Sequence, residues 1–252
     1  MQNDQVTPKE TTTILELAEK CLPVAGDFVE LGCYRGDTSV LLGKLLAKYS
    51  ATCGEPVDNL CKNTKQMCKT SPSMCKNHDK LVENQCKNST NTVKNSCKTC
   101  AKATNSLTNQ SRRLWIYDSF AGLPEKTTED SSGAGQNFQA GELFVTKREV
   151  IEKLRRANLH NVIVKKAWFD QLTNQDLPSQ IAFAFLDGDL YGSIKTSLKL
   201  VAPRLQKQGI MIVHDYNNPE LPGSSRAVDE FLRAHPKYHL TVRHTLAIIT
   251  QS

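Results

Sequence analysis

The chain has 252 residues, of which 39% are hydrophobic and 23% charged, with a formal net charge of +6; this is a globular composition with room for one large α/β domain or two small ones. No apolar run reaches the roughly 18 residues of a membrane span, and the polar start MQNDQVTPKE has no basic flank followed by an apolar stretch, so the expectation is a soluble, cytoplasmic protein without a membrane partner. In the absence of a secretory signal, the nine cysteines point to reduced thiols or a local metal site.

Helical spacing of apolar residues runs from Ile14 to Cys21, and Gly26 to Leu31 is a short apolar strand. An apolar-rich helix follows over Thr38 to Tyr49. The stretch VELGCYRGDTSVLL thus reads as strand, turn and helix, with Gly32 and Gly36 in the turn. Glycines there let the backbone approach a ligand closely and adopt dihedrals that side chains forbid. Cys33, Tyr34 and Arg35 separate the two glycines, so this is not the GxGxxG turn of a dinucleotide site. The spacing suits a nucleoside with an amino-acid tail, although tight loop geometry alone is the competing reading.

From Ala51 to Arg112 the periodicity stops and Lys, Asn, Thr, Ser and Cys take over. Nine Lys and one Arg face four acidic residues here, which accounts for the whole net charge, because the remainder has 22 basic and 22 acidic residues. The isoelectric point near 8.8 therefore describes this insert. A basic-protein argument for nucleic-acid binding applies to it alone, and elsewhere nucleic acid is not an expected partner. Seven cysteines lie here, but only Cys97 and Cys100 have the spacing of a zinc knuckle, with His78 the nearby histidine. A solvated or loosely helical excursion is the favoured reading, against a metal or disulfide role, because the segment has almost no large apolar residues. The periodic core is accordingly assigned to 1–50 and 113–252, and the low-complexity Cys/Lys-rich insert to 51–112.

Beyond the insert, Leu114 to Tyr117 is a buried-type strand ending at Asp118, Val145 to Ala157 a helix, and Asn161 to Lys166 a strand. Ile181 to Leu186 is a continuous apolar run ending at Asp187, as a central parallel strand covered on both faces should be. A helix over Ser193 to Leu205, a strand from Gly209 to Val213 ending at His214-Asp215, and a helix over Ser225 to Ala234 come next. Tyr238 to Arg243 and Thr245 to Thr250 close the chain as two antiparallel strands joined at His244. Alternating strands and helices predict an α/β fold, a doubly wound and mostly parallel Rossmann-like sheet with an antiparallel C-terminal strand. Its strand tips carry Glu30, Asp118, Asp187 and His214-Asp215, and ligands bind at that edge of an open α/β sheet.

Two motifs carry the expected chemistry, FLDGDLYGSIKTSLKLVAPRL and GIMIVHDYNNPELPGSSRAVDEFL. Asp187 and Asp189 end one strand, His214 and Asp215 its neighbour, so the four side chains should converge. Hard oxygens with one imidazole suit Mg or Mn with positions open for substrate hydroxyls. A divalent cation lowers a hydroxyl's pKa and a carboxylate can then take the proton. Asp118, at the tip of the second strand in LWIYDSFAGLPE, suits the two hydroxyls of a ribose, with a turn or capping Asp nearly as good a reading. Trp168 with Phe169 suits adenine stacking or core packing equally. His160, His235, His239 and His244 stand singly and read as structural or solvated.

In order, VELGCYRGDTS, YDSFAGLPE, AWFDQL, LDGDLYGSIKTSL and HDYNNPELPGSSRAVDEF resemble the macrocin O-methyltransferase (TylF-type) family of class I methyltransferases. The resemblance covers nearly all of the chain outside the insert and the first dozen residues. It implies S-adenosylmethionine as methyl donor and Mg-dependent methylation of a hydroxyl on a small molecule, a sugar or sugar-bearing natural product, by a cytoplasmic enzyme. Donor contacts then fall to Glu30, Gly32, Tyr34, Gly36, Asp118, Ser119, Trp168 and Asp187. Asp187, His214 and Asp215 become the metal ligands and Asp189 the general base. Where the sugar enzymes have two consecutive acids before Tyr216, this chain has His214 and Asp215, so the metal requirement stays open. A methyltransferase-like binding module whose basic insert contacts RNA or a protein partner is the alternative, and self-association into a homo-oligomer stays open as well.

Overall fold

The computed structural model of the protein describes residues 6–53, 112–132 and 138–252. The expectations attached to the insert, its cysteines and its RNA- or partner-contacting arm lie outside the described residues. In chain order the elements are α1 (Pro8–Lys20), β1 (Asp27–Leu31), α2 (Asp37–Cys53), β2 (Leu114–Asp118), α3 (Lys147–Arg156), β3 (Val162–Lys166), β4 (Ile181–Leu186), α4 (Tyr191–Val201), β5 (Leu205–Val213), α5 (Pro222–Ala234), β6 (Tyr238–Arg243) and β7 (Leu246–Gln251). Among the described residues no helix is long and apolar enough to cross a membrane.

The strands form one sheet in the order β3-β2-β1-β4-β5-β7-β6. β1 to β5 run parallel, and β7 is antiparallel to both β5 and β6. This is the doubly wound, mostly parallel sheet with an antiparallel C-terminal end that the alternation of elements predicts. Every residue of β4 is buried, because helices cover both faces. Side chains alternate between them with the period of two that a strand imposes. Phe28, Ile116, Phe183 and Phe185 pack with α1, α2 and α3 on one side. Val29, Tyr117, Ala184 and Leu186 pack with α4 and α5 on the other.

Several boundaries differ from the sequence reading, four of them for a clear local reason. The helix read over Ser193 to Leu205 runs over Tyr191–Val201, and a 3-10 turn containing Pro203 ends it before Leu205 opens a strand. α1 starts at Pro8 because Thr7 and Glu10 close a capping box ahead of the apolar stripe. Val145 lies before α3, whose cap is Thr146. It is buried with Val150 in one cluster, the hydrophobic staple of such a helix entry. β5 begins at Leu205, where the polar residues Gln206, Lys207 and Gln208 hide it from an apolar pattern. At the other end of the sheet, His244 takes a left-handed φ of 58° in the two-residue link between β6 and β7, the conformation that tight hairpins need.

β1 is flanked by β2 on one side and β4 on the other, so the chain reverses its winding direction between β1 and β4. A crevice opens beyond the carboxyl ends of the strands at such a reversal.

Candidate active site

A cavity of about 490 Å³ occupies that crevice, within the size range of small-molecule sites. The turn after β1 forms one wall. Gly32 has φ +88°, and a Cβ added there would lie 1.8 Å from the Asp187 carbonyl oxygen. Hydrogen bonds explain the closeness: Gly32 N–H donates to the Tyr117 carbonyl at 2.9 Å and Asp187 N–H to the Leu31 carbonyl at 2.8 Å. Tyr34 is also left-handed, with φ 42°, and lines the cavity with Gly32. Gly36 is not among the lining residues; its N–H closes the turn onto the Cys33 carbonyl at 2.6 Å.

The Asp118 carboxylate holds this turn. It accepts the N–H groups of Cys33 at 2.9 Å, Tyr34 at 3.2 Å and Phe120 at 2.8 Å. A carboxylate has about four lone-pair positions, so Asp118 keeps acceptor capacity where it borders the cavity. Ser119 Oγ donates to the Gly122 carbonyl and accepts the Ala121 N–H, fixing the next bend. Trp168 and Phe169 contribute aromatic wall.

Glu30 is fully buried. Its Oε2 accepts the Ser39 hydroxyl, while Oε1 has no partner. Burial pushes its carboxyl up to about 8, against the Ser39 bond, with the charges of Asp187, Asp118 and Asp37 adding to the rise.

Next to the glycine turn stand the tips of β4 and β5. Asp187 and Asp189 line the cavity. His214 and Asp215 are not lining residues, but they join Asp187 directly: His214 Nδ1 is 2.9 Å from Asp187 Oδ1 and 3.1 Å from Asp215 Oδ2. Asp189 and Asp215 have left-handed backbones, φ 58° and 57°, a strain that non-glycine residues carry chiefly at functional positions. Asp189 Oδ1 is buried without a partner. Burial raises the proton affinity of Asp189 well above that of an ordinary carboxylate, and the charges of Asp187 and Asp215 raise it further. Burial alone would disfavour a charged His214, but the charge and hydrogen bond of Asp187, with the carboxylates of Asp215 and Glu10 also close, outweigh it and raise the proton affinity of the ring.

Asp187 Oδ1, His214 Nδ1 and Asp215 Oδ2 lie within 4.8 Å of one another. In an octahedral shell with bonds near 2.1 Å, adjacent ligands stand about 3 Å apart, and the two edges at 2.9 and 3.1 Å fit that spacing. Two carboxylates and one imidazole at this spacing fit a divalent cation, and Asp189 is not one of the three.

The structure therefore brings Glu30, Gly32, Tyr34, Asp118, Ser119, Trp168, Asp187 and Asp189 to one cavity, sets Gly36 at the close of its turn, and places His214 and Asp215 against Asp187. The other histidines stay apart: His160 meets Asn158, His235 the Phe231 carbonyl and His239 Ser252. Two residues escaped the sequence reading. Glu10 reaches His214 Nε2 at 3.7 Å, and the pattern Thr7-Pro8-Lys9-Glu10 was its available signal. Buried Asp130 accepts the Tyr191 N–H at 2.7 Å and the Thr127 N–H at 3.0 Å, and so caps α4 just after Asp189. A Cβ on Gly223 would meet its Oδ1 at 1.9 Å.

Comparison with known proteins points the same way. The chain is 32% identical over 112 residues to 8-demethyl-8-(2,3-dimethoxy-alpha-L-rhamnosyl)-tetracenomycin-C 4'-O-methyltransferase of Streptomyces olivaceus, covering 42% of each chain. It is 28% identical over 133 residues to mycinamicin III 3''-O-methyltransferase of Micromonospora griseorubida, covering 50% of this chain and 51% of the relative. The chain thus spans about half the length of these curated relatives. The solved structure of the O-methyltransferase NovP shares the fold, with a TM-score of 0.63 at 20% identity over 97% of this chain and 80% of that one. The sequence model of the macrocin-O-methyltransferase (TylF) family matches residues 95–242, more than half of the chain, and the protein belongs to that family.

Proposed function

We propose that the protein is an S-adenosylmethionine-dependent O-methyltransferase acting on a hydroxyl of a small sugar or sugar-bearing compound in the cytoplasm. On this reading residues 1–50 and 113–252 form the catalytic unit and 51–112 an added segment. The observation that carries the proposal is the buried Asp189 carboxylate, with an unpartnered oxygen, on the wall of the same cavity as the glycine turn.

S-adenosylmethionine, when bound, supplies a methyl group already activated on a sulfonium, so generating and aiming the acceptor oxygen is the protein's task. Gly32 and Tyr34 supply a close-approach backbone. Asp118 keeps about one acceptor position for a ribose hydroxyl beyond the three N–H groups it already holds, Ser119 borders the same corner, and Trp168 offers an adenine-stacking face. Glu30 is a candidate partner for a donor amine through its free oxygen. A divalent cation held by Asp187, His214 and Asp215 would supply Lewis acidity toward the acceptor hydroxyl.

Asp189 is the group that takes the hydroxyl proton, because it is a carboxylate on the cavity wall with an oxygen that no other group occupies. The acceptor's O–C bond forms as the C–S bond breaks, and the proton stays on Asp189 until product leaves. The apolar wall around Leu123, Trp168 and Phe169 limits water as a competing acceptor.

Calorimetry with S-adenosylhomocysteine tests the donor half, and methyl transfer from labelled S-adenosylmethionine to a panel of deoxysugar glycosides and phenols tests the acceptor half. Absence of donor-product binding would remove the enzymatic reading. Transfer to phenols but not sugars would replace the substrate class.

A further inference from the structure

We propose that Glu10, on the first helix, is a positioning residue that fixes His214 so that its Nδ1 ligates a divalent cation, and that this site prefers a borderline cation such as Mn(II) over Mg(II). The inference deepens the methyltransferase reading, and rests on it only for the reaction such a cation would serve.

The two nitrogens of His214 face opposite ways. Nδ1 points at the acid pair, 2.9 Å from Asp187 Oδ1 and 3.1 Å from Asp215 Oδ2. Nε2 is 3.7 Å from Glu10 Oε2. The ring is only 4% exposed, so bulk water does not compete for either side. A histidine that ligates a metal through one nitrogen characteristically has its other N–H held by a carboxylate, carbonyl or water, which sets the tautomer and the ring orientation. Glu10 stands where that group is needed: a cation among the acids would replace the proton on Nδ1, while the proton on Nε2 stays on the side of Glu10.

Glu10 is itself immobilised. Its Oε2 accepts the Thr7 N–H at 2.9 Å and the Thr7 hydroxyl at 2.7 Å. Its Oε1 accepts the Thr245 hydroxyl and, at 3.4 Å, the Thr245 N–H. A capping glutamate needs much less than this. Glu149 of α3 closes the same box with Thr146, yet it is exposed and bonds only to that threonine among the described contacts. Glu10 is 3% exposed. Burial of a carboxylate is costly unless other groups meet it, and here those groups are Thr245 and His214.

The cation preference follows from donor chemistry. Mg(II) favours an all-oxygen octahedron and retains its waters, whereas an imidazole nitrogen in the shell favours Mn(II) and later divalent ions. Replacing an acid by His214 also removes one negative charge, which weakens a hard, strongly hydrated ion most.

The test uses the full-length protein with Mn(II) as probe, read by electron paramagnetic resonance. Titrations with and without competing Mg(II) give relative affinities, and electron spin-echo modulation reports nitrogen in the Mn(II) shell. Mn(II) should bind at least about 10-fold tighter than Mg(II), with a nitrogen signature that His214→Asp abolishes while narrowing the preference. Glu10→Gln should weaken Mn(II) binding by about 10- to 100-fold while S-adenosylhomocysteine affinity, measured on the same sample, stays at the wild-type value. Should that variant fold poorly, Thr245→Val removes one tether of Glu10 and should give a smaller loss in the same direction. Equal binding of the two ions, no nitrogen signature, or wild-type Mn(II) affinity in folded Glu10→Gln would overturn the proposal. Loss of S-adenosylhomocysteine binding in the wild type would instead break the donor reading and leave the cation result standing.

Discussion

Around Gly32 the cavity is bounded by main chain, and around Asp187 by charged side chains. The first wall is a turn wedged between two strand ends, with a carbonyl 1.8 Å from where a Cβ would sit and an Asp118 carboxylate collecting three N–H groups. The second wall is formed by Asp187 and Asp189, with His214 and Asp215 behind it; Asp189 and Asp215 hold left-handed backbones and Asp189 has an unpaired buried oxygen. The wall made of backbone has little tolerance for added atoms, whereas the wall made of side chains has little tolerance for changed charge. Substitutions on the two walls should therefore fail in different ways.

Gly32→Ala is the sharpest way to break the contrast. It forces a side chain onto a carbonyl and into a φ of +88°, and should cost about 3 kcal/mol or more in urea unfolding, with donor binding lost. A variant of normal stability would show that the turn can relax. On the other wall, Asp189→Asn should cut turnover by about 10²- to 10⁴-fold at nearly unchanged stability, because it leaves a neutral group of the same shape in the same buried position. Thermal melts run beside single-turnover assays separate the two outcomes, and a destabilised but active Asn variant would reverse the assignment.

Glu30 lies where the walls meet, and its behaviour with pH sharpens the comparison. Its folded carboxyl titrates near 8 against an ordinary 4.5, so between these values the folded state keeps a proton that the unfolded chain has released. Unfolding then releases a proton, and stability falls as pH rises through that window, at up to about 1.4 kcal/mol per pH unit. Glu30→Gln should flatten that slope in denaturant titrations between pH 5 and 8. The smallest effect belongs to the surface. Lys153 pairs with Asp37 at 2.6 Å, but the side chains are 37% and 62% exposed, so Lys153→Ala should change stability by less than about 1 kcal/mol. A larger loss would mean that the start of α2, and with it the glycine turn, depends on this pair.

The sequence was most legible where one physical requirement dominates. The unbroken apolar run of β4, the polar tip of each parallel strand and the glycine spacing after β1 each lead to their observed place, because burial on both faces and a turn without Cβ leave few alternatives. Asp118 was legible as a strand-tip acid but not as the clamp of the turn, since its partners are N–H groups of Cys33 and Tyr34, 85 and 84 positions away. Glu10 was hidden because a capping box explains it locally, and its second task depends on Thr245 at the far end of the sheet order. Asp130 was hidden for the same reason: it caps a helix 61 residues downstream. Periodicity reports what a segment does with its neighbours, and these three residues act across the fold.

The contact between Glu10 and Thr245 joins positions separated by 235 residues. Closing so large a loop comes late in folding, and during synthesis the ribosome must deliver nearly the whole of this sequence before the glutamate can find its threonine. The sheet core can assemble around β1 and β4 earlier. A nascent chain could thus hold the tips of β1 and β4 in place while Pro8 and Thr11, which line the cavity, still lack the anchor that Thr245 gives their helix.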